Sequence, residues 1–162
     1  AKLKTLMLHA NQLDGIIPDE LGQCGELENL FLSENKLTGG VPVSLGKCAK
    51  LKDLSLSENQ LAGPIPDELG QCGELETLDL STNQLTGGVP ASLGKCAKLK
   101  DLRLDANQLE GAVPVTELAA LTALVQLALH QNEGLTITAS GVQTLKEALP
   151  NAKLYLPTEV AG

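Results

Sequence analysis

Residues 75–98, LETLDLSTNQLTGGVPASLGKCAK, are the unit from which most of this chain is built. The same framework of apolar residues, asparagine, glycine and proline occupies 3–26, 27–50 and 51–74, and it starts again at Leu99. A fixed period in this range, with a repeated apolar framework, predicts a solenoid of stacked supersecondary units.

The first half of each unit reads L-x-x-L-x-L-x-x-N, as in Leu75, Leu78, Leu80 and Asn83. Leu78 and Leu80 have strand spacing, so their side chains face the same side of a strand. Parallel stacking of this strand from unit to unit would turn single leucines into buried ladders. The amide side chain both donates and accepts, so we expect the asparagine column to satisfy backbone groups where the strand turns. Its other members are Asn11, Asn35, Asn59, Asn107 and Asn132.

The second half of each unit reads x-L-x-G-x-[VI]-P, followed by L-G-K-C or L-G-Q-C. Glycine permits a turn, and proline fixes φ and lacks a donor, so this segment is expected to bend away from the strand. Leu93 and Cys96 then form an apolar pair on a short helical or irregular turn that returns the chain to the next strand.

This framework resembles the plant-type leucine-rich repeat in five copies, from Leu3 to about Pro114. The resemblance implies an α/β repeat solenoid that is right-handed and curved. It would have a parallel β-sheet on the concave face and short helical or irregular turns on the convex side. It also implies a protein that binds other molecules on the concave face.

We expect a single leucine-rich repeat domain over 1–162, with repeats at approximately 3–26, 27–50, 51–74, 75–98, 99–123 and 124–150. A helix-containing C-terminal cap is predicted over 138–162, because Val142, Leu145 and Leu149 have helical spacing, Ser140 is a candidate N-cap and Pro150 follows. The first strand has no polar cap before it, so an N-terminal cap is expected to be missing. The uncapped coil makes end-to-end self-association a candidate interaction.

The net charge of −8 and the pI near 4.7 argue against nucleic acid or an anionic membrane as the partner, since both require basic surface. No apolar run approaches the roughly 18–20 residues that span a bilayer, so no membrane insertion is expected in this segment. A protein or peptide partner is expected, and a basic one is the easiest for the acidic chain to accommodate.

The four cysteines are Cys24, Cys48, Cys72 and Cys96, one at the same position of each of four units. Metal sites usually need short spacings such as C-x-x-C, which are absent here. A disulfide ladder between neighbouring coils is one interpretation. The preferred one is a free, buried thiol that fills an apolar slot, because Leu121 occupies that slot in the fifth unit.

Two further patterns concern the exposed surface. Residues 19–66 and 67–114 match at most positions, which indicates duplication of a two-unit block. G-E-L-E and A-K-L-K alternate from unit to unit before the strands, for example Glu26 and Lys50, so stacking predicts a ribbon of alternating charge.

Function is expected on the concave face, because residues beside the strand leucines face solvent and vary while the framework repeats. The alternative is that these exposed positions drift freely. The face is net acidic, which suggests a basic peptide or protein segment with Phe31 as an apolar anchor. The candidate binding residues are Met7, His9, Phe31, Ser33, Asp53, Ser55, Asp79, Ser81, Asp101, Arg103, Asp105 and His130.

Catalysis is not expected: His9 and His130 are too far apart to cooperate, and carboxylates on a shallow open sheet lack a pocket. No cofactor or metal is predicted. The main hypothesis is a non-catalytic interaction module. The alternatives are the ligand-sensing ectodomain of a plant-type receptor, a secreted inhibitor of wall-degrading enzymes, or the non-catalytic part of a larger enzyme. The absence of N-x-[ST] sequons and of paired-cysteine caps, together with the predicted free thiols, favours an intracellular location over an extracellular one.

Overall fold

The computed structural model describes residues 2–158 and shows coils that stack in register. One strand from each coil joins a seven-stranded parallel sheet, in the order β1-β3-β5-β7-β9-β11-β13. These strands are β1 (Thr5–Met7), β3 (Asn29–Phe31), β5 (Asp53–Ser55), β7 (Thr77–Asp79), β9 (Asp101–Arg103), β11 (Gln126–Ala128) and β13 (Lys153–Tyr155). The predicted leucine-rich repeat solenoid is therefore confirmed, with this sheet as its concave face.

The sheet register places equivalent residues of successive coils side by side: Leu30 pairs with Leu54, and Leu54 with Leu78. Each of these leucines is completely buried, as is Leu80, two residues after Leu78. A leucine that could not be buried by one short strand is thus enclosed by its own equivalents above and below. The core is a set of such ladders running the length of the molecule.

The segment after each asparagine forms a second row of short strands, where the sequence predicted only a bend. Gly87 in this row has φ of 74°, a conformation that glycine adopts without the steric cost of a Cβ atom. The strands are β2 (Asp14–Ile16) with β4 (Lys36–Thr38), and β6 (Ala62–Pro64), β8 (Gln84–Gly87), β10 (Gln108–Ala112) and β12 (Gly134–Thr136).

The predicted short helical turns are confirmed on the convex side. Four of them are 3-10 helices, each of which begins after a proline, and the fifth is the α-helix α1. Their bounds are Asp19–Gln23, Val43–Lys47, Asp67–Gln71 and Ala91–Lys95 for the 3-10 helices and Val115–Ala119 for α1.

The glycine of each L-G-x-C segment lets neighbouring turns approach closely. A Cβ atom on Gly70 would lie 2.4 Å from the carbonyl oxygen of Ser92 in the next coil, which is far inside van der Waals contact. Gly73 is three residues away, and a Cβ atom there would meet nothing within 4 Å. Coil spacing on the convex side therefore depends on the absence of a side chain at position 70.

We expect Gly70→Ala to lower the free energy of unfolding by about 1–3 kcal/mol, because the methyl group must push two coils apart. Gly73→Ala is the matched control and should change stability by less than about 0.5 kcal/mol. Urea unfolding followed by circular dichroism measures both. Equal losses in the two variants would contradict the close-approach interpretation.

The asparagine column bonds each coil to the one before it. The Asn107 amide donates to the carbonyl of Leu80 in the preceding coil at 3.0 Å and to the carbonyl of Leu104 in its own coil at 3.2 Å. Its Oδ1 accepts from the backbone N–H of Leu85, again in the preceding coil, at 3.0 Å. Asn59 and Asn132 repeat this arrangement and are also buried. The predicted structural role of the column is confirmed.

The residue before each of these asparagines has a left-handed backbone, with φ between 53° and 56°. None of them is glycine, and the β-branched Thr82 is among them. Such a conformation costs on the order of 1 kcal/mol per residue. The asparagine bonds hold the turn in place against that cost. The residues are Ala10, Glu34, Glu58, Thr82, Ala106 and Gln131.

Asn107→Ala should destabilise the fold by at least about 2 kcal/mol, because it leaves buried backbone groups of two coils without partners. Asn11 offers an internal control: it is exposed, and among the described residues its amide bonds only to Leu8 and His9 of its own coil. Asn11→Ala should therefore cost much less in the same urea unfolding experiment. A similar cost at both positions would mean that the bonds between coils contribute little.

All four cysteines are free and buried, as the preferred interpretation of the sequence predicted. The Cys72 Sγ lies 3.5 Å from the carbonyl oxygen of Leu45 in the preceding coil. Burial raises the pKa of Cys48, Cys72 and Cys96 above the ordinary value of 9.0, and raises the pKa of Cys72 to about 12. These thiols act as small apolar side chains.

The raised thiol pKa predicts a loss of stability in alkali. The unfolded thiol of Cys72 ionises near pH 9 while the native thiol stays protonated, so the free energy of unfolding should fall from about pH 9 towards pH 12. Urea unfolding at pH 8, 9 and 10 measures this slope. Cys72→Ala should show a shallower slope, since the lysine and tyrosine titrations are common to both proteins. Identical slopes would exclude a thiol contribution.

The predicted C-terminal helix is confirmed as α2 (Ala139–Ala148), which buries Val142 and Leu145. The predicted cap at Ser140 is wrong: the N-cap is Thr138, whose Oγ1 accepts from the N–H of Gly141 at 3.1 Å. Ser140 lies inside the first turn, where its backbone is already helical. The last part of the predicted cap, 159–162, lies outside the described residues.

Candidate concave-face binding site

The concave face consists of the side chains that flank the buried central leucine of each strand. These side chains are mostly half-buried, because neighbours on the adjacent strands, about 4.8 Å away, cover their stems. One row, called here the central row, contains the residue after each central leucine. Its members, in register, are Met7, Phe31, Ser55, Asp79, Arg103, Ala128 and Tyr155.

The predicted site residues all lie on or beside this face. The central row contains Met7, Phe31, Ser55, Asp79 and Arg103. Asp53 and Asp101 begin β5 and β9. Each of the remaining five lies two residues after the last residue of its strand. Those five are His9, Ser33, Ser81, Asp105 and His130. The structure thus brings neighbours together along the sheet, whereas His9 and His130 lie at opposite ends of it. That these residues bind a partner stays a prediction.

The N-terminal end of the central row is apolar. Met7 and Phe31 are register partners on β1 and β3. Met7 is 60% exposed and Phe31 is half-buried, so the two side chains offer an accessible apolar surface. Ser55 follows on β5 and provides no bulk.

The centre of the face is acidic, and part of its charge is already neutralised. Arg103 donates from Nε and Nη2 to the two carboxylate oxygens of Asp101, at 3.1 and 2.9 Å. These hydrogen bonds, with the further negative charges of Asp79 and Asp105, raise the pKa of the Arg103 guanidinium. Arg103 and Asp101 therefore form a bidentate pair within one strand.

Asp53 and Asp79 remain available for a partner. Among residues 2–158, neither carboxylate has a lysine or arginine nitrogen within 4.0 Å. The Oδ1 atom of Asp79 accepts from the N–H and hydroxyl of Ser81, at 3.0 and 2.6 Å. These two bonds fix the orientation of Asp79 without neutralising it.

Tyr155 was missed from the sequence. It lies beside His130, with 5.7 Å between the ring centroids, and it is 45% exposed at the C-terminal end of the central row. The signal was present, since Tyr155 lies between Leu154 and Leu156 just as Asp79 lies between Leu78 and Leu80. Only the parallel pairing of β11 with β13 shows that this last strand extends the same face.

The duplicated blocks 19–66 and 67–114 differ mainly on this face. Most concave positions differ between the blocks, namely Asn29/Thr77, Phe31/Asp79, Glu34/Thr82, Ser55/Arg103, Ser57/Asp105 and Glu58/Ala106. The remainder of each block differs at few positions, which are Lys36/Gln84, Val43/Ala91, Ala62/Glu110, Pro64/Ala112 and Ile65/Val113. Exposed convex residues such as Lys47 and Lys95 are identical. Free drift would have altered both surfaces alike, so this distribution favours a selected concave surface.

The flank leading into the face carries the predicted ribbon of alternating charge. Lys50 binds both carboxylate oxygens of Glu26, at 2.7 and 2.8 Å, and Lys52 donates to Glu28 at 2.7 Å. Glu74 pairs with Lys98, and Glu76 pairs with Lys100, in the same way. Hydrogen bonds from lysine lower the pKa of Glu26, Glu28 and Glu76. Because these pairs are exposed, they contribute more to coil register than to stability.

The arrangement suits recognition by surface contact. Within the described part of the chain, no group of three or more histidine, cysteine or acidic side chains is placed to hold a metal ion. In the same residues, none of the helices has the length and apolar character needed to cross a membrane. The chemistry that the face offers is an apolar surface followed by carboxylates.

Sequence comparison places the chain in a known family. The Leucine rich repeat family matches over residues 1–61 and again over 74–96. The chain belongs to the leucine-rich repeat family. A comparison with curated protein sequences finds no match.

Solved structures of plant leucine-rich repeat receptors are similar along almost the whole chain. The plant peptide hormone receptor RGFR1, solved with RGF2, is 37% identical with a TM-score of 0.88, over 98% of this chain and 25% of RGFR1. The ectodomain of the receptor kinase GASSHO1/SCHENGEN3 from Arabidopsis thaliana, solved with CASPARIAN STRIP INTEGRITY FACTOR 2, is also 37% identical. Its TM-score is 0.88, over 98% of this chain and 18% of the receptor chain.

A third similar structure is comparable in length. The ectodomain of the Arabidopsis thaliana receptor kinase SOBIR1 is 31% identical with a TM-score of 0.76, over 80% of this chain and 70% of its own. By contrast, the present chain spans only a quarter or less of the two longer receptors. The plant-type repeat predicted from the sequence is confirmed.

The predicted intracellular location is wrong. The similar structures include ectodomains of plant membrane receptors, which point to an extracellular location. Free thiols favoured the intracellular prediction because disulfides are rare in reducing compartments. In the structure they are buried fillers between coils, so their state reflects packing more than compartment.

Proposed function

We propose that this chain is a non-catalytic recognition module of an extracellular leucine-rich repeat protein, and that it binds a protein or peptide on its concave face. The observation that carries the proposal is the duplicated block, whose copies differ at most concave positions but at only one position of the convex helices, Val43/Ala91. Such a difference between the two surfaces is expected if the concave face is selected to bind a specific partner. The plant receptor structures support the same conclusion, since two of them were solved with ligands.

The ligand-sensing segment of a plant-type receptor is the form of this function that the comparisons favour over a secreted inhibitor or a part of an enzyme. RGFR1 and GASSHO1/SCHENGEN3 match over almost the whole of this chain. A basic partner is favoured by charge, because Asp53, Asp79, Asp105 and neighbouring glutamates outweigh Arg103 on the face. We also propose that no residue of the module acts catalytically.

Self-association through the first coil stays a prediction. Leu8, Leu13 and Ile16 are exposed on that coil, with Ile16 at 70%. An apolar surface of this kind is suited to contact with another protein surface.

The test replaces the central row without disturbing the scaffold. Phe31, Asp79 and Arg103 are changed together to serine, the residue that position 55 already carries in the same register. The native chain and this variant are each used to select binders from a random twelve-residue display library. We expect the native chain to enrich peptides that lose binding to the triple serine variant.

Two controls make the selection interpretable. Glu20→Gln with Glu117→Gln removes two exposed carboxylates from the convex side and should leave the enriched peptides bound. Circular dichroism melts should show that all three proteins are folded. If the native chain enriched no peptide, or only peptides that bind the triple serine variant equally, the concave-face function would be wrong.

A further inference from the structure

The central row has an apolar residue and a carboxylate separated by one small side chain. Phe31, Ser55 and Asp79 are successive register partners on β3, β5 and β7. With strands about 4.8 Å apart, Phe31 and Asp79 are separated by about 10 Å along the solenoid. Ser55 leaves room for a ligand backbone to pass between them.

That separation selects a ligand conformation. A ligand strand that runs along the solenoid repeats its side chains on one face every two residues, at about 6.7 Å, or every four, at about 13 Å. A polyproline II helix has three residues per turn and a rise of about 3.1 Å, so side chains three residues apart point the same way at about 9.3 Å. Of these two extended conformations, the polyproline II helix places two side chains over Phe31 and Asp79, and the β-strand does not.

The hydrogen bonds of the sheet lead to the same conclusion. The strands are bonded to one another throughout the seven-stranded sheet, so its backbone groups are already paired in the plane of the sheet. The face consequently offers side chains and no backbone edge to a ligand lying across it. A polyproline II segment needs no backbone partner from the protein, because its own backbone is solvated.

Resting on the proposed function, we propose that the concave face docks a polyproline II peptide carrying an apolar and a basic side chain three residues apart. The apolar side chain packs on Phe31 and Met7. The basic side chain lies over Asp79, on the side that faces Asp53. In this arrangement Ser55 lies beneath the peptide turn that links the two side chains.

The position of the basic side chain follows from the charges around Asp79. On its β9 side, Asp79 faces Arg103, whose guanidinium repels a cation even though it is paired with Asp101. On its β5 side, Asp79 faces Ser55, and Asp53 lies two residues before Ser55 on that strand. Oδ2 of Asp79 accepts no hydrogen bond from a described residue, since both Ser81 bonds go to Oδ1. A ligand cation therefore has two carboxylates to bind on the β5 side.

The test uses nine-residue acetylated and amidated proline peptides that contain one leucine and one lysine. The two residues are placed two, three or four positions apart, and affinity is measured by NMR titration of the folded chain. We expect the peptide with three-residue spacing to bind about fivefold or more tightly than the other two. Because the proline frame holds all three peptides in the same conformation, only the spacing differs.

Protein variants then assign the two contacts. D53N with D79N should remove the preference for three-residue spacing, and it keeps the Ser81 bonds because asparagine retains Oδ1. Phe31→Ser introduces the residue that the next coil carries at this position. It should weaken the binding of the peptide with three-residue spacing by a similar factor. The convex control, Glu20→Gln with Glu117→Gln, should keep the full preference.

Equal affinities for the three spacings, or no detectable binding of any, would overturn this inference. Preference for three-residue spacing that survives in D53N/D79N would overturn the assigned contact. Neither result would affect the proposed function, which depends on whether the display selection yields peptides that require the concave face.

Discussion

Each asparagine of the column from Asn35 to Asn132 forms hydrogen bonds to two coils at once, and the fold depends on this link. The Asn107 amide reaches a carbonyl of the preceding coil, and its Oδ1 receives a backbone N–H from the same coil. The link fixes the position of one coil on the next at the point where the strand turns. The strand leucines then lie against their own equivalents, as Leu30, Leu54 and Leu78 do, and a short repeat that could not bury its core alone becomes part of a continuous one.

Strict stacking has a consequence for binding. Because position 31 always lies beside position 55, and 55 beside 79, the chemistry of the concave face is set one residue at a time. A single substitution changes one point of a regular grid and leaves the scaffold intact. This explains how Phe31 and Asp79 can occupy equivalent positions of two nearly identical blocks. It also explains why the variable residues can be so unlike in size and charge.

The electrostatics divide the surface into two parts. On the flank, lysines and glutamates 24 residues apart neutralise each other and hold adjacent coils in register. On the concave face Asp101 is paired within its own strand with Arg103, while Asp53 and Asp79 have no lysine or arginine partner among the described residues. Charge that is paired between coils supports the solenoid, and charge that is unpaired on one face is available to a ligand.

Much of the fold could be predicted from the sequence, because a repeated framework contains its own alignment. The spacing of Leu78, Leu80 and Asn83 already indicates a strand, a buried face and a hydrogen-bonded turn. The repeat period then indicates which residues of neighbouring coils stack on one another. The second row of strands was missed because glycine and proline in x-L-x-G-x-[VI]-P indicate a bend, and those strands exist only by pairing with the neighbouring coil. The cap at Thr138 was missed since Ser140 is an equally good cap in sequence, and only the helix start separates them.

The candidate site was predictable to the same extent and for the same reason. Which residues lie on the concave face follows from alternation around the strand leucines. Which of them are free to bind does not: pairing of Asp101 with Arg103, and the Ser81 bonds to Asp79, depend on side-chain positions. The inclusion of Tyr155 needed the pairing of β13 with β11. Local patterns thus decided the scaffold, whereas side-chain contacts and the pairing of strands, which depend on the folded structure, decided which groups its surface offers.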